Sequence, residues 1–168
     1  MLEYDPVGTV AFYRERHRVE SATTQRVLTA LPPGNLSYTP HPMSSTAGDT
    51  AWTIVRGLRV SRDLLRSKTA VVASESYPDH ETLLAEFHTV SRSVAELLME
   101  IEQANWSDER TVTSKGSIIL RQPLGQILWL FHFDAIHHRG QLSTFLRPLG
   151  VKVPSIYGPS GDQPSLPL

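Results

Sequence analysis

The sequence predicts an all-α protein, a single four-helix bundle over residues 1–168 with long connections and an irregular C-terminal tail from about residue 150. Two observations support this prediction. Apolar residues recur at alternating steps of three and four along separate segments, which places them on one face of a helix in each. Segments rich in proline and glycine divide these stretches, and the alternation of period two that marks half-buried strands is weak.

The third and fourth segments have the clearest helical pattern. The third helix is expected at residues 79–103, because Pro78 and Asp79 supply a breaker and an N-cap candidate. The fourth is expected at residues 123–147, with Gly150 as a stop signal. The apolar stripe of the fourth helix consists of Leu124, Leu128, Phe131, Ala135, His138, Leu142, Phe145 and Leu149.

The first and second helices have weaker patterns. The first is expected from about residue 7 to residue 31, and its inner face is polar near His17. The second follows the capping candidates Ser44, Ser45 and Thr46 and buries a stripe from Ala47 to Leu65. Residues 69–73 could pair as a strand, although an extended run is the favoured expectation. The apolar run at residues 117–120 is expected to be buried.

Composition excludes several classes of function. A formal net charge of −1 and a pI of about 6.7 argue against non-specific binding to nucleic acid, which needs an excess of cations. The chain has no cysteine, so disulfides, thiolate nucleophiles and cysteine-ligated zinc are excluded. No signal-peptide pattern and no stretch of roughly 20 apolar residues is present, so a cytoplasmic location without membrane contact is expected.

Asp134 and His138 are the clearest candidates for chemistry. They lie four residues apart, one helical turn, so that both can reach one metal ion. The same spacing suits a plainer arrangement, in which the carboxylate fixes the imidazole tautomer or forms a charge pair with it. His137 is expected on the surface, and His132 is poorly placed to share an ion with His138. Gly140 indicates either a close approach by another group or a tolerated weak position.

The residues around this pair resemble those of a known family. Residues 134–147, DAIHHRGQLSTFLR, resemble the His-His-Arg-Gly-Gln-Leu signature of DinB/YfiT-like proteins. Residues 150–159, GVKVPSIYGP, are similar to the tail of one branch of that family. The resemblance implies a four-helix bundle with an unusual helix order, often a homodimer. It also implies a divalent metal held by three histidines in many members, and thiol-dependent transferase or isomerase activity in some.

The metal triad of the family carries over only in part. His138 matches one family ligand, and Asp134 stands where the family usually has histidine. Thr53 occupies the usual histidine position of the second helix, and a neutral threonine is a poor ligand. Three outcomes stay open: the site is lost, it is rebuilt, or Asp134 and His138 bind a metal weakly with several waters. The candidates for a rebuilt third ligand are Asp49, His17 and His41.

The resemblance and the residues lead to three functional hypotheses. The first is a divalent-metal-dependent thiol transferase or hydrolase, using zinc, nickel, iron or manganese and a small-molecule thiol, since the chain has no cysteine. The second is a non-catalytic small-ligand-binding or stress-response bundle. The third is a purely structural homodimer whose tail, with Ile156 and Tyr157, packs on a partner or back on the bundle. Candidate pocket residues for a ligand are Thr53, Trp52, Phe131 and His17.

Overall fold

Four long helices form the body of the protein in a computed structural model that describes residues 8–164. Three helices begin at side chains that accept a hydrogen bond from the first turn, namely Thr9, Thr46 and Asp79. The four predicted helices are therefore confirmed, although residue 7, the expected start of the first, lies outside the described residues. Their bounds are α1 Val10–Ala30, α2 Ala47–Arg66, α3 His80–Glu100 and α4 Leu124–Leu146.

The helices bury two apolar clusters with a polar layer between them. Both α1 and α2 pack against α3 and α4. One cluster includes Tyr13 near the start of α1 and Leu128 near the start of α4. The other includes Leu28 and Leu142, near the opposite ends of the same two helices. The middle turns of α1 and α4 thus lie between two apolar regions, and their buried side chains there are polar.

A small sheet joins the bundle, so the strict all-α prediction is wrong. Its strands are β1 Thr69–Val71, β2 Glu109–Ser114 and β3 Ser117–Pro123, in the order β1-β2-β3. Of the two possibilities for residues 69–73, the favoured extended run is wrong for Thr69–Val71, and the strand pairing is observed, because β1 pairs in parallel with β2. Lys115 and Gly116, with φ of 48° and 80°, form the tight turn between the antiparallel strands β2 and β3.

The apolar run at the start of β3 is exposed, contrary to expectation. Ile118 is 56% exposed and Ile119 is 50% exposed. Consecutive residues of a strand point to opposite faces, and both faces of β3 lie at the surface here. The sheet covers one side of the bundle through β2 instead, where Val112 joins the first apolar cluster.

The tail after α4 has no helix or strand up to residue 164, in agreement with the prediction, and packs back on the bundle. Val151, Val153 and Ile156 contact the second apolar cluster. Asp162 accepts hydrogen bonds from Arg147 and from the backbone of Val153. The homodimer implied by the resemblance stays a prediction, which sizing chromatography tests. Within residues 8–164, no helix has the length and apolar character of a membrane span.

Candidate functional site

Asp134 and His138 meet on the exposed side of α4. The Nε2 atom of His138 lies 3.4 Å from Oδ1 of Asp134, and the Nδ1 atom lies 2.8 Å from Oε1 of Gln141. A carboxylate oxygen and an amide oxygen both accept hydrogen bonds, so both ring nitrogens act as donors in this arrangement. The geometry therefore favours the protonated, positively charged imidazole.

The electrostatics of the pair agree with that geometry. The hydrogen bond to Asp134 is the main reason that the pKa of His138 is raised, and the same bond lowers the pKa of Asp134. The positive charge of Arg56 acts on His138 in the opposite direction and lowers its pKa. Arg56 of α2 is therefore part of the electrostatic environment of the α4 pair.

Thr53 is occupied by hydrogen bonds of its own. Its hydroxyl donates to the carbonyl oxygen of Asp49 over 2.9 Å, and its oxygen accepts from Nη2 of Arg56 over 2.9 Å. Arg56 thus connects Thr53 on α2 with the neighbourhood of His138 on α4. We call Thr53, Arg56, Asp134 and His138 the α2–α4 polar group.

The buried face of α4 differs by one residue from the predicted stripe. His138 and Phe131 are only partly buried, whereas Arg139 is 1% exposed and His132 is 8% exposed. One residue corresponds to a rotation of about 100° on a helix. The prediction that His138 lies on the buried face of α4 is therefore wrong. The expected surface position of His137 is confirmed.

Arg139 is the centre of a buried ionic network that the sequence reading missed. Its Nη1 donates to Oε2 of Glu20 over 2.6 Å, and its Nη2 donates to the hydroxyl of Tyr157 over 2.5 Å. The hydroxyl of Tyr157 in turn donates to Oε2 of Glu20 over 2.8 Å. The network ties α1, α4 and the tail together at the polar layer of the bundle.

Two buried histidines lie in the same layer. His17 donates from Nε2 to the carbonyl oxygen of Ser91 over 3.1 Å, and burial lowers its pKa. Burial is also the largest cause that lowers the pKa of His132 to about 4, with a further contribution from His17. Both rings are therefore neutral near pH 7.

The other residues singled out from the sequence have separate surroundings. Phe131 and His17 line a small cavity. Trp52 is buried in the second apolar cluster, with the guanidinium of Arg59 4.8 Å from its ring centre. His41 is exposed and accepts a hydrogen bond from the backbone of Met43. Gly140 has nothing within 4 Å of the place of a side-chain carbon, so no close approach explains it.

Comparison with known proteins places this chain in a family. The sequence profile of the DinB family matches residues 7–165. The chain belongs to the DinB family. This DinB chain is also 25% identical over 161 residues to the uncharacterized protein YrdA of Bacillus subtilis, covering 92% of each protein.

Solved structures share the fold of this DinB protein. A DinB-like protein from Bacillus cereus superposes with a TM-score of 0.74 at 22% identity, covering 89% of this chain and 98% of that one. The mycothiol-dependent maleylpyruvate isomerase superposes with a TM-score of 0.62 at 11% identity. That match covers 79% of this chain and 60% of the isomerase. At these identities the likeness shows a common fold.

The α2–α4 polar group of this DinB protein does not fit the three-ligand metal centre implied by the resemblance. The hydroxyl of Thr53 is engaged on both sides, and both nitrogens of His138 face acceptors. While its two nitrogens donate to Asp134 and Gln141, His138 has no lone pair for a metal, and the positive charge of Arg56 disfavours a cation nearby. In the described part of the chain, no three His, Asp or Glu side chains gather closely enough to hold an ion. None of Asp49, His17 or His41 therefore completes a set with Asp134 and His138.

Replacing Asp134 with asparagine should lower the pKa of His138. The raised pKa means that the folded state holds the His138 proton more tightly than the unfolded chain does. The resulting stability is complete below the ordinary value of about 6.5 and is lost as the pH rises through the raised folded pKa. In Asp134→Asn this loss should become smaller, because the negative charge is gone while the bond to Gln141 remains.

An NMR titration of the His138 ring measures this pKa directly. Glu96→Gln is a matched control, because Glu96 is an exposed acid on α3 that pairs with Arg92. The midpoint of His138 should move down in Asp134→Asn and stay unchanged in Glu96→Gln. An unchanged midpoint in Asp134→Asn would show that the carboxylate does not hold the proton.

Proposed function

We propose that this DinB protein binds a small anionic molecule at the α2–α4 polar group and does so without a three-ligand metal centre. This is the non-catalytic, small-ligand-binding hypothesis, with a site at the place where the family resemblance puts the metal. The observation that carries it is the position of Arg56, which bonds to Thr53 and acts electrostatically on His138. The guanidinium of Arg56 bonds to Thr53, the position at which the family resemblance puts a metal ligand.

The charges of the group favour an anion. Arg56 supplies one positive charge, and His138 adds a second whenever its ring is protonated, against the single negative charge of Asp134. Arg56 is partly exposed and bonds to Thr53 through Nη2, so its other terminal nitrogen can donate to a ligand. A planar guanidinium with free donors suits a carboxylate, because the two can form paired hydrogen bonds.

Ligand-dependent thermal stabilisation tests this proposal. Maleate is a suitable probe, because it is a small dicarboxylate and the isomerase that shares the fold acts on a related acid by name. A ligand at about 100 times its Kd stabilises a protein by about 2.7 kcal/mol. For a chain of this size that corresponds to a rise in Tm of roughly 5–10 °C.

The control compares two arginines of the same helix. Arg56→Gln should abolish the rise in Tm, whereas Arg66→Gln should keep it, because Arg66 is exposed at the end of α2 and bonds to Ser93. Equal stabilisation of wild type and Arg56→Gln would rule out Arg56 as the anchor. No stabilisation by any of a panel of small mono- and dicarboxylates would overturn the proposal.

The second candidate function is the metal-dependent thiol transferase or hydrolase. It is supported by the approach of Asp134 and His138 and by the shared fold with a mycothiol-dependent enzyme. Metal content by inductively coupled plasma mass spectrometry tests it, on protein purified without an affinity tag or chelator. Near-stoichiometric zinc, nickel, iron or manganese that is lost in His138→Ala would favour this candidate over the first, and assays of thiol transfer would follow.

A further inference from the structure

The imidazole of His132 has a buried nitrogen without a partner. The residue is 8% exposed, and its Nε2 atom makes no hydrogen bond within the described part of the chain. Its ring packs against Tyr13 and Trp129, with 5.4 Å between ring centres in each case, and those two rings are 5.0 Å apart. Native structures satisfy nearly all buried polar groups, because leaving one unpaired costs roughly 1–3 kcal/mol.

A small cavity adjoins this residue. It has a volume of about 20 Å³ and is lined by His132 together with residues from all four helices. A single water needs roughly 10–15 Å³ and two to four polar partners. Polar lining is supplied by His17, Glu20, Thr24 and Ser61. The space therefore suits one molecule of the size of water.

The surroundings favour a neutral occupant. Glu20 is already paired with Arg139, so a cation would gain little from its carboxylate and would meet the guanidinium. An anion would lie close to Glu20. His17 donates through Nε2 to Ser91, which leaves Nδ1 as an acceptor when the ring is neutral. The cavity therefore offers hydrogen-bond acceptors and uncharged imidazole rings. These groups favour an uncharged molecule that donates hydrogen bonds.

We propose that this cavity is a binding site for one neutral hydrogen-bonding molecule, water in the isolated protein, and that Nε2 of His132 anchors it. The site is separate from the α2–α4 polar group, and neither Asp134 nor His138 lines it. Its ligand is defined by size and by the need to bond with an imidazole nitrogen.

Magnetic relaxation dispersion of water counts the molecules that stay bound for long times. His132→Phe removes the anchor and fills part of the space, so this variant should hold one long-lived water fewer than wild type. His88→Phe is the matched control on an exposed position of α3 and should keep the wild-type number. Equal numbers in wild type and His132→Phe would overturn the proposal.

A second measurement needs no variant and covers the outcome in which His132→Phe does not fold. Water-to-protein cross-relaxation in wild type should reach the ring protons of His132, and the nitrogen shift of Nε2 should be that of a hydrogen-bonded atom. Absence of both signals would contradict the proposal. Stoichiometric metal that His132→Phe loses and His138→Ala keeps would also contradict it, because the occupant would then be a cation.

Discussion

Replacing Arg139 with methionine should destabilise the protein by about 3–5 kcal/mol, because it leaves the charge of Glu20 buried without its partner. The side chain of Arg139 is 1% exposed and that of Glu20 is 8% exposed, with 2.6 Å between them. Tyr157 would still donate to Glu20, but one neutral donor does not replace a cation. Unfolding in urea, followed by circular dichroism, gives the change in the free energy of unfolding.

Two further variants separate the buried charge from the loss of packing. The double variant Glu20→Leu, Arg139→Met should recover much of the loss, since removing both members of a buried ion pair is often close to neutral. Arg18→Met breaks an exposed pair with Glu15 on the same helix as Glu20 and should cost no more than about 1 kcal/mol. If Arg139→Met lowers the free energy of unfolding by as little as Arg18→Met does, the buried network is contradicted.

The helices could be predicted because their signals are local. Asp79 caps α3 through the backbone of Thr82, three residues on, and the same holds for Thr46 and Asp49 in α2. The strands lack such signals. β1 has three residues, and its partner Thr111 lies 42 positions after Thr69 in the register. A pairing over that distance depends on how the helices pack, which periodicity does not report.

The residues of the candidate site on α4 could be predicted from the sequence, but the contribution of Arg56 from α2 could not. The contact of Asp134 with His138 follows from the spacing of one helical turn, and the charge pair was one of the two arrangements left open. The role of Arg56 depends on the packing of α2 against α4, since its own partner, Thr53, is local. No pattern within either segment contains that information.

The buried face of α4 was misplaced because the stripe was chosen by apolarity. The series of residues that includes Phe131 and His138 is spaced by three and four positions. The neighbouring series that includes His132 and Arg139 has the same spacing. That second series is Leu124, Leu128, His132, Ala135, Arg139, Leu142 and Leu146, and most of it is buried. The polar middle of α1 was the available signal, because a buried Glu20 requires a cation opposite it.

Replacing either of two glycines on α4 with alanine should change the stability of the protein, in opposite directions at the two positions. A side-chain carbon at Gly125 would overlap the indole ring of Trp106, whose Nε1 and Cε2 lie far inside contact distance. Trp106 is 6% exposed, and its ring packs against Tyr13 with 5.3 Å between centres, so it cannot move away freely. Gly125→Ala should therefore destabilise the protein by about 1–3 kcal/mol, the usual cost of overpacking a core.

Gly140→Ala is the matched control on the same helix. No atom lies within 4 Å of the place of its new methyl group, and the position is exposed. Alanine is favoured over glycine in a helix interior by roughly 1 kcal/mol, so this variant should be more stable than wild type. Urea unfolding of both variants, with the near-ultraviolet dichroism of the tryptophans, tests the pair. Stabilisation by Gly125→Ala would show that Trp106 does not pack on α4, because the helical preference for alanine would then act at both positions without opposition.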